Sequence, residues 1–193
     1  MNPPALLKTS AVRERREGRR LGIGEVVGSA RPMVLHTLLG SCIAACLHDP
    51  VARVGGMNHI LLPGASPNER QTRFGVQAME VLINLLMREG ADRRKLIAKV
   101  FGAANVLPAL SSPTVGELNA KFIREFLAAE RIPLVAYRLG GEHAMHVHFT
   151  TDTGKVIARA VNDSRLPRLV ESEKMYSATH QADKYFTGEV TLF

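Results

Sequence analysis

MVLHTLLGSCIAACLHDPVARVGGMNHILL, residues Met33 to Leu62, decides the fold. It holds three apolar runs separated by turn residues, and each is of strand rather than helix length. Met33 to Leu39 reads as a strand, Gly40-Ser41 breaks it, and Cys42 to Leu47 follows as a short apolar run. Asp49-Pro50 and Gly55-Gly56 act as turn signals around the next run, Val54 to Leu62. With a further strand at Gly24 to Val27 upstream, the pattern predicts a compact β meander.

Outward from this stretch, helical and extended patterns alternate. Ser66-Pro67-Asn68-Glu69 supplies an N-cap, a proline at the first helical position and a capping-box glutamate. Ala78, Met79, Leu82, Leu85 and Leu86 keep the helical period, and Gly90 is placed to cap the end. Leu96 to Phe101 reads as a buried strand closed by Gly102. A second helix is expected from about Thr114 to Glu130, with Val115, Leu118, Phe122, Phe126 and Leu127 on one face. Pro133 cannot continue it and leads into a strand at Leu134 to Tyr137. Ala144 to Thr150 and Lys155 to Val161 form a hairpin across Asp152-Thr153-Gly154. Met145, Val147 and Phe149 share one face of its first strand, and His146 and His148 the other. The fold class is α/β: a single mixed α/β domain, with mixed, sandwich-like β-sheets flanked by two long helices. That domain is expected over residues 21–161. A basic, flexible N-terminal arm (1–20) precedes it, and a polar C-terminal extension (162–193), read as a mobile tail or docking segment, follows.

A length of 193 residues suits one substantial domain, and 46% hydrophobic residues can supply its core, which excludes wholesale disorder. With 7 Phe, 3 Tyr and no Trp, stacking platforms for single-stranded nucleic acid are excluded. Two cysteines make neither a disulfide framework nor a four-cysteine zinc site. No apolar run approaches the roughly 18–20 residues of a membrane span, and Ala5-Leu6-Leu7 is too short for a secretory core. The expectation is a cytoplasmic protein without membrane insertion. Of the formal charge of +7, residues 1–22 carry +4 and the rest of the chain +3. The basic character belongs to the arm, which reads as a solvated tail, and nucleic acid is not an expected partner.

Chemistry concentrates at Gly40-Ser41-Cys42. A cysteine placed where one strand ends and the next begins can be exposed at a turn whose N–H groups face an oxyanion. A free thiol, with a pKa near 8.5, is only about a few per cent thiolate at neutral pH. A neighbouring imidazole is the usual remedy. His59, 17 positions on, would lie beside Cys42 if the two apolar runs were adjacent strands. On pattern alone a small buried hydrophobe is the commoner reading of such a thiol, and Cys46, flanked by apolar residues, reads only that way. A Cys42–Cys46 disulfide is excluded, because four residues along a strand span about 13 Å. His146 and His148, with His143 near, could begin a metal site, but the polar face of an amphipathic strand explains them equally. Gly102-Ala103-Ala104-Asn105 and Gly140-Gly141 match no phosphate-binding fingerprint, and no Gly-x-Ser-x-Gly elbow supports a serine hydrolase.

Leu38 to Pro63 closely resembles the signature of the CheD chemoreceptor glutamine deamidases. Gly22-Ile23-Gly24-Glu25 is similar to that family's opening strand, Arg73-Phe74-Gly75 with Ala78-Met79 to its first helix, Lys99 to Ala103 to its central strand, and Gly140-Gly141 to its late turn. The resemblance spans about residues 21–161. It implies a cysteine hydrolase acting on particular glutamines of methyl-accepting chemotaxis receptors, with Cys42 as nucleophile, His59 as general base and no metal or organic cofactor. A threonine completes the family triad. Some members carry it six residues before the cysteine, where this chain has His36; Thr37 stands five before. Thr37 is assigned the role, with a bulge before Gly40 expected to restore the phase that a one-residue step would reverse. Gly40, Ser41 and Asn58 are expected to position the reacting groups or the oxyanion. The resemblance also implies a CheC-type phosphatase as a candidate partner. Two departures, Glu142-His143 after the late glycines and Val115-Gly116-Glu117-Leu118-Asn119 at the second helix, bear on docking rather than on the dyad. Receptor glutamate methylester hydrolysis and a non-catalytic module engaging the phosphatase are the alternatives. A glutamine presented by a helical receptor calls for a shallow groove at Cys42.

Overall fold

A computed structural model of the chain describes residues 17–62, 69–106, 113–161 and 166–182. Residues 1–16 of the arm and the expected helix start at Ser66-Pro67-Asn68 lie outside them. In chain order the strands and helices are β1 (Glu17–Arg20), β2 (Val26–Ser29), β3 (Met33–Leu39), β4 (Ile43–Asp49), β5 (Val54–Asn58), α1 (Glu69–Arg88), β6 (Ile97–Gly102), α2 (Val115–Ala129), β7 (Leu134–Leu139), β8 (Ala144–Thr150), β9 (Val156–Val161) and α3 (Leu166–Ala182).

The strands form two sheets, ordered β1-β3-β8-β9 and β2-β5-β4-β6-β7. This corrects the expected meander: β3 leaves its sequence neighbours and pairs with β8, while β4 pairs with β5 and β6 in the larger sheet. The crossing happens at Gly40-Ser41-Cys42. It lets Leu35 and Leu39 of the small sheet meet Ala44, Cys46 and Met57 of the large one across a shared core. The other face of the large sheet packs Ile43, Ala45 and Leu47 against Met79, Leu82 and Leu86 of α1 and Ile123 of α2. All seven residues of β4 are buried because both of its faces are covered, which is why its sequence is apolar without alternation. The result is three layers, with the mixed α/β class as expected.

Gly55-Gly56 lies inside β5 rather than in a flanking turn. A Cβ on Gly55 would stand 2.4 Å from the Thr151 carbonyl oxygen, and one on Gly56 2.6 Å from that of Val27. The two glycines are needed for close approach of backbone. The long helices end as their sequence signals require. Gly90, at φ +100°, closes α1 with Ala91 N–H on Leu86 O and Gly90 N–H on Met87 O, the paired bonds of a Schellman motif. Thr114 and Glu117 form the capping box of α2.

Secondary structure extends beyond the expected domain at both sides. Residues 17–20, assigned to the arm, form the strand β1 and pair in parallel with β3. The polar extension contains α3, whose period is hidden in its sequence because only Leu169 and Glu173 among its described side chains are buried.

Candidate active site

The turn from β3 to β4 holds the thiol, and its carbonyls are all engaged on one side. Gly40 O accepts from Ala104 N–H and Cys42 O from Ala103 N–H, both at 2.7 Å. Ser41 O accepts from the Asn119 side-chain amide at 3.0 Å. Asn119, fully buried on α2, is itself fixed by Leu62 N–H, which donates to its Oδ1 at 3.0 Å. With the carbonyls held toward the 102–104 segment and α2, the Ser41 N–H is free to donate elsewhere. It donates to α3, reaching Glu173 Oε1 at 3.1 Å.

His59 lies just past β5. The Ile43–Ile60 bridge continues the antiparallel register of β4 with β5, which sets Ala44 opposite His59 and Cys42 opposite Leu61. Cys42 and His59 therefore share the inter-sheet face as diagonal neighbours, with backbones about 7–8 Å apart, a span that their side chains can bridge. The His59 backbone is pinned on its other side, its N–H on Glu25 O at 3.0 Å and its carbonyl accepting from Gly24 N–H at 2.8 Å. Gly22 to Glu25 is thus a turn that holds His59, and the strand read there begins at Val26.

The imidazole has one defined tautomer. Thr37 Oγ1 donates its only proton to Leu21 O at 2.8 Å, so the 2.9 Å contact between Thr37 Oγ1 and His59 Nδ1 must be donated by the ring. Nδ1 carries the hydrogen, and Nε2 keeps a lone pair. That Nε2 is buried with no hydrogen-bond partner among the described residues. Burial, above all, pushes His59 down to about 4, so the ring is a neutral base at physiological pH.

Thr37 needs no bulge to reach this position. The β3–β8 register runs unbroken from Val34–Thr150 to Leu39–Met145, and the expected bulge before Gly40 is absent from it. Thr37 is in phase with Leu35 and Leu39, all three facing inward and buried. His36 is in the opposite phase, stacked on His148 at 5.6 Å on the outer face. His146 joins that face, its ring centroid 6.4 Å from that of His148. Among the described residues no group of three or more His, Cys, Asp or Glu side chains is arranged to hold a metal ion.

Asn58 departs from its expected place near the oxyanion. Alternation puts it on the helix-facing side of the sheet, where its Oδ1 accepts from Ala45 N–H and its Nδ2 donates to Ala78 O. It ties α1 to β4 and does not reach the thiol's face. Cys46 is the buried structural thiol its neighbours implied, pushed far up by desolvation.

Glu173 is the residue that sequence reading misses. Its carboxylate accepts the Cys42 thiol at 3.2 Å, the Ser41 hydroxyl at 2.6 Å and the Ser41 N–H. Burial, then the Glu173 charge and hydrogen bond, push the Cys42 thiol well up. The thiol is fully buried, and α3 lies over it. Nothing in a charged, weakly periodic segment marks one glutamate as buried. Asn119 left a fainter signal, a lone amide on the otherwise apolar face of α2.

A thiol at a strand turn, an N–H beside it already holding an anionic oxygen, and a neutral imidazole on the same face, backed by a hydroxyl, are components of the kind a cysteine-dependent amidase uses, but the thiol's hydrogen bond runs to Glu173 and not to the His59 ring. The family model described as CheD chemotactic sensory transduction matches residues 61–160. A protein of Thiobacillus denitrificans named probable chemoreceptor glutamine deamidase CheD is 43% identical over 175 residues, covering 88% of this chain and 86% of that one. One of Stenotrophomonas maltophilia with the same name is 46% identical over 166 residues, covering 82% and 80%. Among solved structures, the Bacillus licheniformis hypothetical protein YfiH aligns at a TM-score of 0.38 and 17% identity, over 61% of this chain and 49% of that chain, too distant to carry an argument. The chain belongs to the CheD family.

Proposed function

We propose that this protein deamidates glutamine side chains of chemoreceptors to glutamate, with Cys42 as nucleophile, His59 as general base and acid, and Thr37 as the group that orients His59. The observation that carries the reading is the Thr37–His59 bond, because it leaves the basic lone pair on Nε2, on the face that carries Cys42. As Cys42 Sγ attacks the side-chain amide carbon, the thiol proton passes to His59 Nε2. The negative charge that develops on the carbonyl oxygen falls to the Ser41 N–H, a donor of a kind worth about 2.7–4 kcal/mol when well aimed. His59 returns the proton to the departing ammonia, which leaves poorly unless protonated. Water, deprotonated by His59, then hydrolyses the thioester to glutamate and frees the thiol. The scheme uses these side chains and water alone.

Family membership and the names of the relatives support chemoreceptors as the substrate. No helix among the described residues is long and apolar enough to cross a membrane; action on the cytoplasmic portion of receptors is the matching proposal. A CheC-type phosphatase is the proposed second partner, on the family resemblance alone. The deciding experiment is mass spectrometry of a cytoplasmic receptor fragment incubated with the protein or with Cys42→Ala. Conversion of specific glutamines by the parent only is expected. Conversion by both removes Cys42 from the reaction, and conversion by neither removes the deamidase reading.

A further inference from the structure

We infer that α3 is the chain's own occupant of the substrate groove, with Glu173 seated on Cys42 as the product glutamate would be, so that the enzyme stays closed until a receptor helix displaces α3. This inference rests on the deamidase reading and deepens it.

Four observations converge. The Glu173 carboxylate sits on the groups that deamidation uses, the nucleophilic thiol and the Ser41 N–H. Gly40 leaves room for it: a Cβ there would meet Glu173 Oε1 at 2.8 Å and Leu169 Cδ2 at 3.1 Å. Leu169, Glu173 and Tyr176 stand at i, i+4 and i+7, the single helix face that a groove recognises. Finally, α3 lies across a groove that it only partly fills. A cavity of about 450 Å³ reaches from Thr37 and His59 to Leu169 and Tyr176, and one of about 200 Å³ runs from His59 and Phe74 to Tyr176. The proton that His59 would take is instead shared with Glu173, and the elevated thiol matches a closed state.

The arrangement also describes the substrate. A glutamine on a helix, with an apolar residue four positions before it and an aromatic one three after, would reproduce the contacts of α3. Glutamate and glutamine differ only in an oxygen for an amide nitrogen, so Glu173→Gln converts α3 into a substrate in cis. Cys42 Sγ would attack the introduced amide carbon, ammonia would leave, and water would hydrolyse the thioester, regenerating the native glutamate.

The test is peptide mass spectrometry of full-length Glu173→Gln and of the double variant that adds Cys42→Ala. Conversion of the introduced amide to acid in the first and not in the second is the expected result. An intact amide in a preparation that deamidates a receptor fragment in trans overturns the inference and leaves the deamidase reading standing. An intact amide together with an untouched receptor removes both. A readout free of turnover runs alongside: Glu173→Ala should speed iodoacetamide labelling of Cys42 severalfold, because it uncovers the thiol and removes the carboxylate that pushes it up. Equal labelling rates in parent and variant would show that α3 does not close the site.

Discussion

Replacing Thr37 by valine isolates what the hydroxyl does, because the side chain keeps its shape and loses only the oxygen. Thr37 is 1% exposed but borders the cavity that reaches His59, so any water that replaces the oxygen comes from that side. The Leu21 carbonyl and the His59 Nδ1–H both lose the hydroxyl, while the carbonyl, which also faces the ring, stays as an acceptor for it. At about 0.5–1.5 kcal/mol for each of the two hydrogen bonds lost, the variant should lose about 1–3 kcal/mol of stability. For a chain of this size that is a fall in Tm of about 2–12 °C. The effect on catalysis is separate. With the Leu21 carbonyl left to hold it alone, the ring is less firmly kept protonated at Nδ1, and the tautomer protonated at Nε2 cannot take the thiol proton. The expected loss in kcat is about 10²–10⁴-fold, the usual share of a general base, with a smaller change in KM. Thr37→Ser, which restores the oxygen, should recover most of kcat. The assays are thermal denaturation and receptor deamidation kinetics on all three proteins. A valine variant with lowered Tm and undiminished kcat would refute the orienting role and leave Thr37 a structural bond.

Two further expectations follow from the same geometry. His59 is held at about 4 in the folded chain against about 6.5 in the unfolded one, so the unfolded state binds a proton that the folded state refuses between those values. Its share of stability is complete above pH 6.5 and falls by up to about 3 kcal/mol as the pH drops to 4; urea melts across that range should show a steeper fall for the parent than for His59→Asn, and parallel slopes would contradict it. Asn119→Ala frees the Ser41 carbonyl and the Leu62 N–H, which should cost about 2–6 kcal/mol and reduce kcat more than KM. An unchanged kcat in a folded variant would separate Asn119 from the site.

What could be read from the residues was local. Alternation in β3 and β8, the glycine that ends α1 and the threonine that starts α2 each act within a few residues, and each lies where its chemistry requires. Sheet membership was not local. The pairing of Leu39 with Met145 joins positions over a hundred residues apart, and no spacing rule announces that β3 will leave the strands beside it in sequence. The third member of the site shows the same divide. The phase of β3 places Thr37 inward and His36 outward, and that phase is written in Leu35 and Leu39. The pleat alone sets this phase, and the unbroken register needs no bulge to bring Thr37 inward. Glu173 was invisible for a plainer reason: its burial depends on a cysteine 131 positions away.

The contact that hides in the sequence also explains how the site can favour substrate over product. Glu173 brings a carboxylate into a site where it is 8% exposed and, among the described residues, meets no cation. Removing such a charge from water costs several kcal/mol, and the hydrogen bonds from Ser41 and the thiol, at about 1.5–3 kcal/mol each, offset that cost without greatly exceeding it. A glutamine amide occupying the same place gains similar directional contacts and loses far less solvation, because it carries no charge. The groove therefore holds an amide better than the acid that the reaction makes from it. Product release is then assisted by the same desolvation that keeps α3 from binding tightly. A tethered acid of low intrinsic affinity is suited to this role, since tethering raises its effective concentration to about the millimolar range without any strong contact. It closes an idle site against stray thiol chemistry and yields to a receptor helix that presents an uncharged glutamine.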